Sequence, residues 1–123
     1  MLHLLDTCIL IDILRMDRNA VAFVSSLDER PHVCPVSSME LLAGARTQRE
    51  ENLIDQLLAK FHMVQIDSGI YRRAGSWLRH YQASHAIGSV DALIAATAEH
   101  HGLKLATLNT KHFPMFPKLK RAY

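Results

Sequence analysis

Apolar residues fall into short runs and helical stripes that alternate along the chain. His3-Leu4-Leu5 is an apolar run that stops at Asp6, which predicts a buried strand followed by a helix over 7–15. Between 19 and 30, Val21, Phe23, Val24 and Leu27 mark a second helix, and Pro31 ends it. His32 to Val36 reads as a strand, with Pro35 tolerable near its end. A helix is expected to open at Ser37 and run through Leu41, Leu42 and Ala45. From 48 to 61, Ile54, Leu57, Leu58 and Phe61 stand at i, i+3, i+4 and i+7 of another. Met63 to Ile66 alternates like a strand. Asp67 or Ser68 then caps a long helix with Ile70, Ala74, Trp77, Leu78 and Tyr81 on one face. Gly88-Ser89 opens a helix to His100, with Val90, Leu93, Ile94 and Thr97 inward and Gly102 as its stop. Leu103 to Leu108 is the last clear strand, and the tail with Pro114 and Pro117 is irregular or a short edge.

Strands alternating with helices predict an α/β protein, a layered sandwich with a central, mostly parallel sheet of four or five strands covered on both faces. At 123 residues one domain over 1–123 is expected. In such a sheet the strand ends and the following helix starts share one edge, where ligands gather.

A hydrophobic fraction of 49% supports a core and excludes disorder. Cys8 and Cys34 sit in apolar runs, which favours buried, reduced thiols of a cytoplasmic protein over a disulfide framework. The apolar start is broken by Asp6 and Asp12 and lacks a basic leader, and nothing approaches the ~20 apolar residues of a membrane span. Net charge is only +2, but residues 1–61 carry six Lys/Arg against nine Asp/Glu and residues 62–123 carry eight against three, so the halves are −3 and +5. That division suits a protein holding cations in one place and phosphates in another, and equally a scattered solvated surface.

Three acids share one kind of address. Asp6 ends a strand, Glu40 lies early in the helix after a strand, and Asp91 lies at a helix start. Each has a plain structural explanation: Asp6 as an N-cap, Ser37-Ser38-Met39-Glu40 as a capping box, Asp91 as a complement to the helix dipole. Their neighbourhoods, Leu4-Leu5-Asp6, Glu40-Leu41-Leu42 and Val90-Asp91-Ala92-Leu93, are apolar, where an unpaired carboxylate is costly. A shared divalent cation resolves that cost, and oxygen-only ligation suits Mg²⁺ or Mn²⁺. His100 and His101 are adjacent and point apart on a helix, and no Cys-x-x-Cys or His-x-x-x-His occurs, which argues against zinc. Asp12 is a possible extra acid, but it lies six residues past Asp6, about 600° around a helix, and reads as a helix-surface residue or one that supports the acids from behind.

Taken in order, Leu5-Asp6-Thr7-Cys8-Ile9-Leu10-Ile11-Asp12, Ser37-x-x-Glu40-Leu41-x-x-Gly44, Asp91-Ala92-Leu93-Ile94-Ala95 and Ala106-Thr107-Leu108-Asn109-x-x-His112-Phe113 resemble the PIN-domain nucleases, in particular the VapC toxins of bacterial toxin–antitoxin pairs. The resemblance covers nearly the whole chain. It implies a PIN-like α/β/α sandwich, a Mg²⁺-dependent ribonuclease, a homodimer and a cognate antitoxin lying across the active-site groove. By position it implies Asp6, Glu40 and Asp91 as catalytic and metal-binding acids, Asn109 where the family often has a fourth acid, and Thr7 and Thr107 as hydroxyls beside the site that meet substrate. A neutral Asn109 adds no charge toward a second metal. Arg46 and Lys111 are expected on substrate phosphates, with Arg72, Arg73, Arg79 and Lys104 as further RNA contacts. Leu10, Ile11, Ile13, Leu14, Val21, Phe23 and Val24 exceed what one helix pair needs for a core, and some are expected on a dimer or antitoxin surface.

Other readings compete. A PIN-like scaffold that binds RNA or protein without cutting finds support in Asn109 alone. A nucleotide-binding regulator lacks any Gly-rich phosphate loop. In a receiver-like phosphoacceptor Lys111 could serve as the lysine, but the Glu40 motif has no place.

Overall fold

A computed structural model of the protein describes residues 1–81, 83–84 and 87–123. Four strands form one parallel sheet: β1 (His3–Leu5), β2 (His32–Val33), β3 (His62–Met63) and β4 (Lys104–Ala106), in the order β3-β2-β1-β4. Leu4 and Leu5 of β1 pair with His32 and Val33 on one side and with Leu105 and Ala106 on the other. Successive strand residues face opposite ways, so the sheet feeds two cores. Leu4, Cys34 and Leu105 pack with Ile70, Trp77 and Ile94 on one face. Leu5, Val33 and Ala106 pack with Ile9, Leu10, Ile54 and Phe61 on the other.

The helices are α1 (Thr7–Leu14), α2 (Arg18–Ser25), α3 (Pro35–Ala43), α4 (Gln48–Leu58), α5 (Ser68–Tyr81) and α6 (Ser89–His101), and a 3-10 turn covers Thr110–His112. Helix α6 is small-residued: Ala92, Ala95, Ala96 and Ala98 are buried and let it lie close beneath the sheet. Gly102 ends it at φ 63°, the left-handed conformation a glycine adopts without cost.

Several boundaries move. Pro35 is the first residue of α3 rather than the end of a strand, because its missing N–H is no loss at that position. Helix α2 stops at Ser25, short of the expected Arg30, where the Ser26 hydroxyl turns back to the Phe23 carbonyl at 2.6 Å. Strand β3 sits at His62–Met63 instead of 63–66, and β4 is trimmed to three residues from the expected six. Cys34 is buried while Cys8 is only partly so, and both are free thiols. No helix among the described residues is long and apolar enough to cross a membrane.

Chain order fixes where a site forms. From β1 the sheet grows through β2 to β3, then returns to add β4 on β1's other side. The switch point lies between β1 and β4, and the crevice beyond their carboxyl ends is where an open α/β sheet receives ligands. Asp6 and Thr107 are the residues immediately past those two ends.

Candidate active site

Asp6 leaves β1 and caps α1, with its oxygen Oδ1 accepting from the Thr7 amide at 2.8 Å. The Thr107 hydroxyl donates to Oδ2 at 2.6 Å, and the Cys8 thiol lies 3.5 Å from the same oxygen. Burial, then the neighbouring Asp6 charge, pushes the Cys8 thiol up to about 11, so it stays protonated and donates. Asp6 is only 5% exposed. No lysine, arginine or histidine among the described residues pairs with it or with Glu40.

Glu40 lies mid-helix in α3, which begins at Pro35, so Ser37 is not a cap and the capping-box explanation falls away. Instead the Thr7 hydroxyl lies 2.7 Å from Glu40 Oε1 and 2.9 Å from Ser37 Oγ. One hydroxyl hydrogen serves one acceptor. The Thr7 hydroxyl therefore divides its donation between the Glu40 carboxylate, which is nearer, and the fully buried Ser37 oxygen. Thr7 therefore joins two acids, Asp6 through its backbone and Glu40 through its side chain.

Asp91 stands in the first turn of α6, beside the Gly88 cap. Burial raises its carboxyl above the usual range; His112 pulls it down, and Asp6 and Glu40 push it up again. The three acids are thus within electrostatic reach of one another. The His112 Nδ1 atom is 3.5 Å from Asp91 Oδ2.

Thr7 and Thr107 sit deeper than the resemblance implies. Both are buried, with the Thr7 hydroxyl on Glu40 and the Thr107 hydroxyl on Asp6. Asn109 has an exposed side chain, while its backbone amide donates to Thr107 Oγ1 at 3.0 Å. Lys111 is exposed on the 3-10 turn next to His112, and Arg46 is exposed past the end of α3. Arg73 is committed elsewhere: it pairs with Glu99 at 2.8 Å and lies 4.3 Å over the Trp77 ring. Glu99 is eight residues beyond Asp91, about 12 Å down α6, so Arg73 belongs to the opposite end of that helix. Asp12 is likewise engaged, accepting from the Tyr123 hydroxyl at 2.7 Å. Of the expected apolar surplus, Leu10 is core and Val21 is 45% exposed.

Cys8 and His112 are site neighbours to which the sequence assigned no part in the site, and Ser37 was expected only as a helix cap. Ser37 stands three residues before Glu40, the spacing that puts both on one helix face once the helix start is known.

The donor set is all oxygen and short of positive charge, which fits a hard divalent cation. No three carboxylate, imidazole or thiol groups among the described residues close around one point at ligating distance. Mg²⁺ keeps several of its waters and takes one or two carboxylates directly, so an open arrangement suits it better than a closed cage.

The PIN domain family matches residues 3–119. The chain belongs to the PIN domain family. Ribonuclease VapC19 of Mycobacterium tuberculosis is 35% identical to this PIN domain over 126 residues, covering 99% of this chain and 100% of that protein. Ribonuclease VapC10 of the same species is 50% identical over 86 residues, 69% of this chain, and the match spans 64% of that relative's length. Among solved structures, a toxin-antitoxin complex from Klebsiella pneumoniae superposes with a TM-score of 0.84 at 30% identity, over 98% of both chains.

Proposed function

We propose that this PIN domain is an endoribonuclease dependent on Mg²⁺ or Mn²⁺, the toxin of a toxin–antitoxin pair, acting in the cytoplasm as a homodimer. The observation that carries the reading is Asp91: a carboxylate disfavoured by burial and by two further acids, which His112 at 3.5 Å offsets only in part, beside Asp6 and Glu40, with which no basic side chain among the described residues pairs. Asp6, Glu40 and Asp91 would hold the ion. When bound, the ion supplies charge that offsets charge developing on the phosphate and lowers the pKa of a water. Thr107 and the Thr7 amide fix the Asp6 oxygens, and the Thr7 hydroxyl fixes Glu40. His112, half-exposed beside Asp91, and the exposed Lys111 next to it in sequence would meet an RNA phosphate. The names of the VapC relatives support the nuclease activity, and the Klebsiella complex supports an antitoxin. A groove of about 410 Å³ between α1, α3 and α4, lined by Ile11, Leu14, Leu41, Leu53 and Ile54 and reaching Glu40, fits an apolar antitoxin segment.

The test is cleavage of RNA with chelator and with added metal. EDTA should abolish it, Mg²⁺ or Mn²⁺ should restore it, and products should carry a 5′-phosphate and a 3′-hydroxyl. Asp91→Asn should lose at least about 100-fold, beyond the 10–100-fold typical of an outer-shell partner, while its circular dichroism stays that of the wild type. A 2′,3′-cyclic phosphate product, or wild-type cleavage by Asp91→Asn, overturns the assignment.

A further inference from the structure

A second concentration of charge lies along β4, away from the acids. A groove of about 410 Å³ is lined by His3, Phe23, Lys104, Lys118, Lys120 and Arg121, together with residues of β4. The three lysines and Arg121 are exposed, none forms an ion pair among the described residues, and no acid lines the groove. Four uncompensated cations in one concavity are a site for a polyanion. The aromatic content narrows the class. The His3 and Phe23 rings meet edge to face at 6.1 Å, and Tyr123 stands 5.9 Å behind Phe23. Burial, and to a smaller degree Lys104, lowers the affinity of His3 for a proton, which keeps its ring neutral and suited to stacking. A basic groove with aromatic rings in its wall is how single-stranded nucleic acid is held without sequence preference.

Position narrows it further. The groove includes Ala106, whose carbonyl accepts from the Asp6 amide at 2.9 Å, and the next residue, Thr107, holds the Asp6 carboxylate. From Lys104 to Thr107 is three residues, about 10 Å of strand. A polymer cut at the acids would pass along β4 within a few nucleotides.

We propose that this groove binds the single-stranded stretch of RNA flanking the cleavage point, with phosphates along Lys104, Lys118, Lys120 and Arg121 and a base against His3 and Phe23. The choice of RNA rests on the nuclease reading above. An acidic protein segment is the rival occupant, and it has no use for the aromatic wall.

The experiment is fluorescence anisotropy of a labelled 16-nucleotide oligouridylate, in EDTA so that nothing is cut, across a salt series. Lys120→Gln/Arg121→Gln should weaken binding roughly tenfold at low salt and lower the salt slope by about 1.4, which is two phosphate contacts at about 0.7 each. Lys118→Gln should act in the same direction, and the charge-keeping Lys120→Arg/Arg121→Lys should bind as wild type. Unchanged affinity and slope in the glutamine variants overturn the proposal. So does an equal loss on a 16-base-pair RNA duplex, which marks plain surface charge. So does a deca-glutamate peptide that loses binding while the oligouridylate does not. Because the assay needs no cleavage, an inactive chain that shows the expected slope change sinks only the nuclease reading. An active chain with an unchanged slope sinks only the groove.

Discussion

Thr7 is the residue on which the two halves of the acid cluster meet. Its hydroxyl stands between Ser37 Oγ and Glu40 Oε1 while its amide serves Asp6. Thr7→Val keeps shape and deletes the hydroxyl, which strands the fully buried Ser37 and frees Glu40. A buried polar group left unsatisfied costs about 1–3 kcal/mol, so urea unfolding should show a loss of that size. Cleavage should fall roughly 10- to 100-fold, the range for a group that orients a ligand. Thr7→Ser should retain both properties; Thr7→Val with undiminished stability and cleavage would sink the network. At this scale Asp6 was legible because it interrupts an apolar run and is buried there, whereas Glu40 interrupts one on an exposed helix face and Asp91 is half-buried, so their apolar neighbours in sequence overstated their burial. The supports of these acids were not legible. Ser37 was disguised as a capping box, and only the helix start at Pro35 removes the disguise. Cys8 and His112 meet the acids through a tight first turn and a returning tail, and no periodicity announces either contact.

Among the elements, helices were read better than strands, for a physical reason. Apolar residues at 3.6 spacing leave a stripe, as in α4 with Ile54 and Leu57 buried and in α5 with Ile70, Ala74 and Trp77 buried. A strand of two or three residues carries almost no pattern, so β2, β3 and β4 were all expected longer than they are. One junction holds a feature that sequence concealed. After α1 the chain reverses through Met16 at φ 60°, with the Asp17 amide bonded to the Asp12 carbonyl at 2.9 Å, in the place where a glycine commonly ends a helix. An L-residue in that conformation costs about 1–2 kcal/mol. The Met16 side chain is 81% exposed and packs little. Met16→Gly should therefore stabilise the protein. The glycine's extra freedom in the unfolded chain takes back part of the gain, leaving about 0.5–1 kcal/mol in a urea titration. Met16→Ala should gain nothing, and equal stability of all three would mean the turn is not strained.

For the molecule as a whole, the sheet separates its two chemistries by end. Acids gather past the carboxyl ends of β1 and β4, while His3 and His32 begin the adjacent strands β1 and β2 at the other end. Burial is the leading cause that lowers both imidazoles below their ordinary value; for His32 the neighbouring His62 adds to it. The His32 Nδ1 atom is also buried without a hydrogen-bond partner among the described residues. The consequence for stability has a definite sign. In the unfolded chain both rings titrate near 6.5, whereas the folded protein resists protonating them. Between 6.5 and the lower folded values the unfolded state binds more protons, so stability rises with pH. It is fully present above about 6.5 and erodes on acidification. Asp91, with its raised carboxyl, works in the opposite direction, since its folded form prefers the proton. The measurement therefore belongs in the Asp91→Asn background without divalent ions. There the melting temperature should be lower at pH 5.5 than at pH 7.5. His32→Leu removes a titrating ring and its orphaned nitrogen together, which is neutral or stabilising where a partner was missing anyway. It should melt higher than its parent at pH 5.5 and lose less between the two pH values, keeping only the His3 share. An acid sensitivity identical in parent and His32→Leu would show that the ring is solvated when the protein is folded, and that the sheet tolerates charge at both ends.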